Sequence, residues 1–232
     1  SKVGTELCFI LRQRGVDVIP IVRNIMGAVF LNHHKFPCRI GDITKEEDAQ
    51  EVLDGLDIVI IAAYMWPKVA VPYSINKRLN EKIVENTITY AQERAKIVYF
   101  STIRAFSRRV DESLSLLSLA PYYDVEKRRL ERRVARWCSK QGKEGYIFRL
   151  GHVFGAHQPL AKKVMEMVSK KKRVTLLVSP ERKSNIVHTI TITDAILKCA
   201  NGTIKTGRYT LVNNPQWTWK EVFEYYGNKE TQ

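Results

Sequence analysis

Long apolar runs are missing from this 232-residue chain. The longest, residues 58–63, is far too short to cross a bilayer. The start shows no secretory signal, so the chain reads as cytoplasmic. Paired cysteines are missing too. Cys8, Cys38, Cys138 and Cys199 have no paired spacing and sit in apolar or helical contexts, which argues against a disulfide framework or a zinc site. His33 and His34 have no carboxylate or cysteine spaced to complete a metal site, and no metal is expected. There is no internal repeat and no low-complexity segment. Acidic residues are scarce, 24 against 38 basic, leaving a net charge of +14. Such an excess can attract nucleic acid, an acidic membrane face or anionic substrates. Here the basic residues are spread along the chain, and no nucleic-acid motif or aromatic interleaving accompanies them. The densest groups, residues 127–136 and 170–173, read as solvated helix faces or ends. The charge therefore suggests solubility and a field that favours a phosphorylated ligand.

What is present is an alternation. A helix ending at Gly15 leads into a strand over residues 16–22 that closes at Arg23. A short strand at 37–40 precedes Gly41-Asp42-Ile43. Thr44 and Glu47 then form a Thr-x-x-Glu capping pattern for a helix to about residue 53. Apolar strands follow at 57–63, 96–101 and 145–150, separated by helices at 75–95 and 123–140. This is the pattern of a Rossmann-like, doubly wound parallel sheet with helices on both faces. A strand is expected before the first helix, so the given chain is expected to lack its true N-terminus. After Gly155 the pattern loosens. Helices at 161–170 and 194–200, strands at 173–178 and 209–212, and a capped helix from Thr218 suggest a smaller C-terminal α/β lobe over residues 156–232. That lobe is read as the substrate-binding part of one fold, resting on a domain over 1–155 and not independent of it.

Tyr123 and Lys127 stand one helical turn apart and share a face with Leu130, Val134 and Cys138. That face should turn inward, while the arginines from Arg128 to Arg136 should be solvated. A phenol beside an ammonium suggests acid/base chemistry, because the cation lowers the phenol's pKa. A half-buried tyrosine with a lysine reaching past it is the plainer alternative. In parallel sheets ligands gather at the carboxyl ends of the strands. Arg23, Asp42, Ala63, Thr102 and Gly151 all fall at such ends.

Taken together, several segments resemble the extended short-chain dehydrogenase/reductase family, the nucleotide-sugar epimerases and dehydratases. They are Gly41-Asp42-Ile43, the run Gly55 to Ala63, Ser101-Thr102-Ile103-Arg104-Ala105-Phe106, the Tyr123/Lys127 pair, Arg149 to Gly155, and Val187-His188 with Asp194 and Gly207-Arg208-Tyr209. The resemblance implies an NAD(P)-dependent oxidoreductase or epimerase acting on a nucleotide-linked sugar. Thr102, Tyr123 and Lys127 would be catalytic. Arg23, Asp42, Ile43, Ala62, Ala63, Tyr64, Lys127, Leu150, Gly151 and Val153 would bind the dinucleotide, and His152 and Arg182 would meet the substrate. An arginine rather than an acid at position 23 favours NADP over NAD, since it suits a 2′-phosphate. A homodimer through the Tyr123 helix is the assembly the resemblance suggests. The chain departs from the family at several points. No Gly-rich phosphate loop precedes the first helix, Glu126 replaces a small hydroxyl residue, Ala105-Phe106 replaces Val-Tyr, and His152 stands where asparagine is common. Substrate and reaction stay open. An NADPH-dependent reductase of a non-sugar carbonyl and a non-catalytic dinucleotide-binding redox sensor are the alternatives. Arg104, where dehydratase chemistry wants a carboxylate, favours a reductase or epimerase.

Overall fold

The computed structural model describes residues 1–66, 72–106, 123–170 and 178–228. The elements run α1 (Lys2–Gln13), β1 (Ile21–Val22), α2 (Ile25–His33), β2 (Arg39–Ile40), α3 (Glu46–Leu53), β3 (Ile58–Ile61), α4 (Tyr73–Tyr90) and β4 (Lys96–Thr102). A single 3-10 turn at Ile103–Phe106 follows, then α5 (Tyr123–Lys140), β5 (Gly145–Leu150), β6 (His152–Phe154) and α6 (Pro159–Lys170). The chain continues with β7 (Ile186–His188), α7 (Thr189–Ala200), β8 (Gly207–Leu211) and α8 (Trp219–Asn228).

The main sheet has the order β3-β4-β5-β8 and is parallel throughout. The runs Ile58–Ile61 and 97–100 are continuously apolar because both of their faces are covered. On one face Val59, Ile61, Ile97, Tyr99 and Ile147 meet Val52, Ile83, Val84, Ile88, Leu130, Val134 and Cys138 of α3, α4 and α5. On the other, Val98, Phe100, Tyr146, Phe148 and Leu150 meet Leu7 and Leu11 of α1 and Ile192, Ile196 and Cys199 of α7. Successive residues of β4 thus serve opposite cores, as the period of a strand requires. This is the α/β, doubly wound arrangement. β1 and β2 pair in parallel as a separate two-stranded sheet. A third core joins Phe154, Leu160, Ala161, Val164, Ile186, Trp219 and Val222, which gathers α6, α8 and the β6–β7 pair.

Several elements differ from the sequence expectation. The strand expected over 16–22 is ladder-paired only at Ile21–Val22. Residues 25–33, unassigned from sequence, form α2, whose apolar residues run all round the helix. The capping pattern at Thr44 is not used. Helix α3 starts at Glu46 with Lys45 as a cap that makes no side-chain bond, while Thr44 N–H and Oγ1–H both donate to Asp42 Oδ1 (3.0 and 2.8 Å). The second pattern does form: Thr218 N–H donates to Glu221 Oε2 at 2.6 Å and Glu221 N–H to Thr218 Oγ1 at 3.2 Å. Helix α7 begins at Thr189 rather than 194, because His188 Nδ1 accepts from Ile190 N–H and caps it. β8 joins the main sheet beside β5, and α7 packs on α1, while α6, α8 and the β6–β7 pair gather in the third core. The strand expected at 173–178 lies almost wholly outside the described residues.

Candidate active site

The carboxyl end of β4 and the first turns of α5 bring Thr102, Tyr123 and Lys127 together. Lys127 is 5% exposed, and its Nζ donates to the Phe100 carbonyl on β4 at 2.8 Å. The ammonium faces the rings of Tyr64 (4.5 Å), Tyr99 (4.8 Å) and Tyr123 (5.9 Å). Burial pushes its pKa down to about 7, while the charges of Glu126 and Glu131 oppose the fall. Tyr123 stacks on Trp66 at 4.8 Å and 12°, and meets Tyr64 edge-on at 5.2 Å. Its pKa is raised, first by burial and then by Asp124, with Arg104 as the opposing cation. This reverses the direction expected from the spacing of Tyr123 and Lys127. Enclosure by Trp66 and Tyr64 outweighs a lysine whose own charge is disfavoured. Thr102 pairs in register with Leu150, and its Oγ1 accepts from Arg104 N–H at 3.3 Å.

Glu126 and Glu131 flank that inward face on opposite sides, each 1% exposed. Glu126 accepts from Tyr64 Oη–H at 3.0 Å and from Asn80 Nδ2–H at 2.8 Å. Asn80 also bonds both backbone groups of Met65, so the turn after β3 is tied to α4 and α5. Glu131 accepts from Ser101 Oγ–H (2.5 Å), Arg149 Nε–H (2.9 Å) and Arg149 Nη2–H (2.6 Å). Of the arginines expected in solvent, Arg132 and Arg136 are exposed. Arg129 and Arg133 instead pair with Glu81 of α4, and Arg128 donates to the Ala105 carbonyl.

The other expected residues are distributed along the same strand edge. Arg23 is exposed after β1 and lies 3.8 Å from Met65 Sδ. Asp42 is half-buried, and its Oδ1 accepts from both the N–H and the hydroxyl of Thr44. Ile43 is half-buried, and its carbonyl accepts from Asn86. Ala62 is half-buried and Ala63 exposed. Gly151 touches the Asn185 backbone so closely that a Cβ would lie 2.0 Å from its carbonyl oxygen. Leu150 is buried and Val153 half-buried beside it. His152 Nε2 is buried without a partner among the described residues, and burial plus the Arg104 charge push its pKa down to about 4. Arg182 follows the turn at 180–181 ahead of β7, and its carbonyl accepts from Trp219 N–H at the start of α8.

Sequence reasoning missed the polar frame. Asn80, Glu131, Arg149 and the Arg104–Asp124 pair hold the site from elements far apart in sequence, so no local pattern announces them. It also missed the start of α1. A Cβ on Gly4 would lie 3.5 Å from the Ala62 Cβ, which sets the positive end of that helix against the β3 edge. A glycine in the first turn of the first helix was the available signal. These features fit a dinucleotide: a helix N-terminus for its phosphates, small residues at the strand ends, and an acidic oxygen and an ammonium along one edge.

The family model of the NAD dependent epimerase/dehydratase family matches residues 2–183. The chain belongs to that family, and is an enzyme of the extended short-chain dehydrogenase type. Among solved structures it is similar to the UDP-N-acetylglucosamine 4-epimerase of Bacillus cereus, with 18% identity and a TM-score of 0.73 over 97% of this chain and 77% of that one. The UDP-glucose 4-epimerase of Thermus thermophilus, in complex with NAD, aligns at 17% identity and TM-score 0.70, covering 99% and 80%. The dTDP-glucose 4,6-dehydratase of Bacillus anthracis, also with NAD, aligns at 15% and 0.73, covering 99% and 78%. At these identities the likeness establishes the fold. No curated protein matches the chain. Among the described residues no helix is long and apolar enough to cross a membrane.

Proposed function

We propose that the protein is an NAD(P)-dependent oxidoreductase or epimerase of a nucleotide-linked sugar, with Tyr123 as acid, Lys127 as its support and Thr102 as the group that orients the reacting oxygen. The observation that carries this reading is the convergence of those residues where β4 ends and α5 begins, with Lys127 anchored to Phe100 O next to the Thr102 strand end. When bound, the dinucleotide supplies hydride exchange at a carbon of the substrate. The residues of this chain handle the proton. A half-buried phenol whose pKa is raised is held protonated. It is therefore set to give a proton to a carbonyl oxygen, the reductive direction. Lys127, pushed down to about 7, exchanges a proton near neutrality and can replenish the phenol. Thr102 Oγ1, whose acceptor side is turned to Arg104 N–H, keeps its own proton for the substrate oxygen. Trp66 and Tyr64 shield the phenol from water.

Arg23 supports NADP over NAD, because an exposed guanidinium after β1 suits a 2′-phosphate and repels nothing on that ligand. The test is calorimetric titration with NADPH and then NADH, followed by turnover of a sugar-nucleotide panel. Tighter NADPH binding that Arg23→Ala abolishes is expected. Tyr123→Phe should keep dinucleotide affinity and lose activity by about a hundredfold or more, the scale of a general acid. Failure to bind either dinucleotide would overturn the enzyme reading.

A further inference from the structure

The turn after Thr102 and the first turn of α5 are joined by one ion pair. Arg104 Nε donates to Asp124 Oδ2 at 2.9 Å, and Arg104 Nη2 lies 2.8 Å from the same oxygen. The side chains are only 11% and 10% exposed. Their remaining atoms, Arg104 Nη1 and Asp124 Oδ1, are buried and have no partner among the described residues. Leaving one such atom unsatisfied is costly, and an ion pair that leaves one on each member is rare in a folded chain. A third unpartnered atom, His152 Nε2, belongs to a ring that feels the Arg104 charge and lies 5.4 Å from the Trp219 ring. Arg104 donates through its backbone to Thr102, and Asp124 directly follows Tyr123. The pair therefore flanks both residues assigned to the reacting oxygen.

We propose that Arg104 and Asp124 form a specificity-determining subsite that reads neighbouring hydroxyls of an uncharged, polyol-like group, with Asp124 Oδ1 accepting from one hydroxyl and Arg104 Nη1 donating to the next oxygen. This rests on the reading of Thr102 and Tyr123 as the reactive centre. The charge logic selects the ligand. A carboxylate or phosphate on Nη1 meets the negative Oδ1, and an ammonium on Oδ1 meets the guanidinium. A vicinal diol offers a donor and an acceptor side by side and carries no charge, so it satisfies both atoms. His152, held neutral, adds a hydrogen-bonding nitrogen without adding charge.

The experiment uses the full chain saturated with NAD or NADP, and titrates UDP-glucose, its 2-, 3- and 4-deoxy analogues and UDP-glucuronate. The wild type should bind UDP-glucose, and at least one deoxy analogue should bind about tenfold or more weakly, the scale of a hydrogen bond lost to a charged group. UDP-glucuronate should also bind more weakly. Asp124→Asn turns the acceptor into an amide, and Arg104→Lys removes the planar fork while keeping the charge. Both should bring the deoxy discrimination close to unity while thermal melting shows a folded chain. If either single variant fails to fold, the double variant Arg104→Met/Asp124→Leu, which leaves no lone charge, takes its place and should show the same loss. Retained discrimination in a folded variant would make the pair a structural strap and overturn the proposal. Binding of the dinucleotide without binding of any sugar nucleotide would overturn it as well, leaving the cofactor site standing. Absence of dinucleotide binding would instead sink the enzyme reading beneath it.

Discussion

Glu126 and Glu131 are two buried carboxylates of α5, and they are held in opposite ways. Glu131 faces full positive charge: Arg149 grips it with two nitrogens, and Arg208 approaches to 3.8 Å. Glu126 accepts from neutral donors, the Tyr64 hydroxyl and the Asn80 amide, and sits next in sequence to Lys127. The difference teaches what each does. A carboxylate gripped by arginine ties α5 to β4 and β5. Both charges reach Lys127, and that of Glu126, held by neutral groups, opposes the fall of its pKa more than that of Glu131. Glu131 is chiefly part of the frame, and Glu126 is the stronger influence on the site.

The comparison is broken most forcefully at Arg149. Removing one partner of a buried pair leaves the other charge uncompensated, so Arg149→Met should destabilise the fold by about 3–5 kcal/mol. Urea unfolding measures it, and a loss under about 1 kcal/mol would show that Glu131 finds enough support in Ser101 and Arg208. Glu126→Gln keeps shape and should cost less, about 1–3 kcal/mol. Its distinctive effect is electrical: the Lys127 pKa should fall below about 7, because the Glu126 charge that opposes burial is gone. The native pKa of Lys127 lies below its ordinary value of 10.5. Between the two values the unfolded chain holds more protons, so this residue makes stability rise with pH from about 7 to 10.5. Comparing melting curves of the wild type and Lys127→Met across that range isolates the effect. A difference that stays flat with pH would place the ammonium in a wetter setting than its 5% exposure indicates. The smallest effect sharpens a second contrast. Thr218→Ala should cost about 1 kcal/mol by removing a formed capping box, whereas Thr44→Ala, whose pattern caps no helix, should cost less.

Those two capping patterns show how legible the chain was. Each has the same spacing of Thr and Glu, yet only one closes. At Thr44 the nearby Asp42 carboxylate competes for the hydroxyl and the amide, and a local motif cannot announce its rival. Helix α2 went unread for a related reason. Its apolar residues fall all round the helix, so no face stood out. Strands β3, β4 and β5 were plain, because a run apolar on both faces has few other solutions in a chain that alternates with helices. The Tyr123 and Lys127 pair was visible from spacing alone. The direction of the Tyr123 pKa was not, since it depends on Trp66 and Tyr64, which the fold delivers from the end of β3.

By itself the sequence determined the period of each element, the two-faced burial of the sheet, and the order of residues along its carboxyl edge. These depend on the spacing of apolar groups over a few turns, which any reader of the chain can count. Only the tertiary structure decided how charge is distributed around the site. Whether a carboxylate meets arginine or amide, whether a lysine is hydrated or enclosed by rings, and which atoms of Arg104, Asp124 and His152 lack partners are facts of distance. Electrostatic energy depends on those distances and on excluded water, and residues separated by dozens of positions in sequence set both.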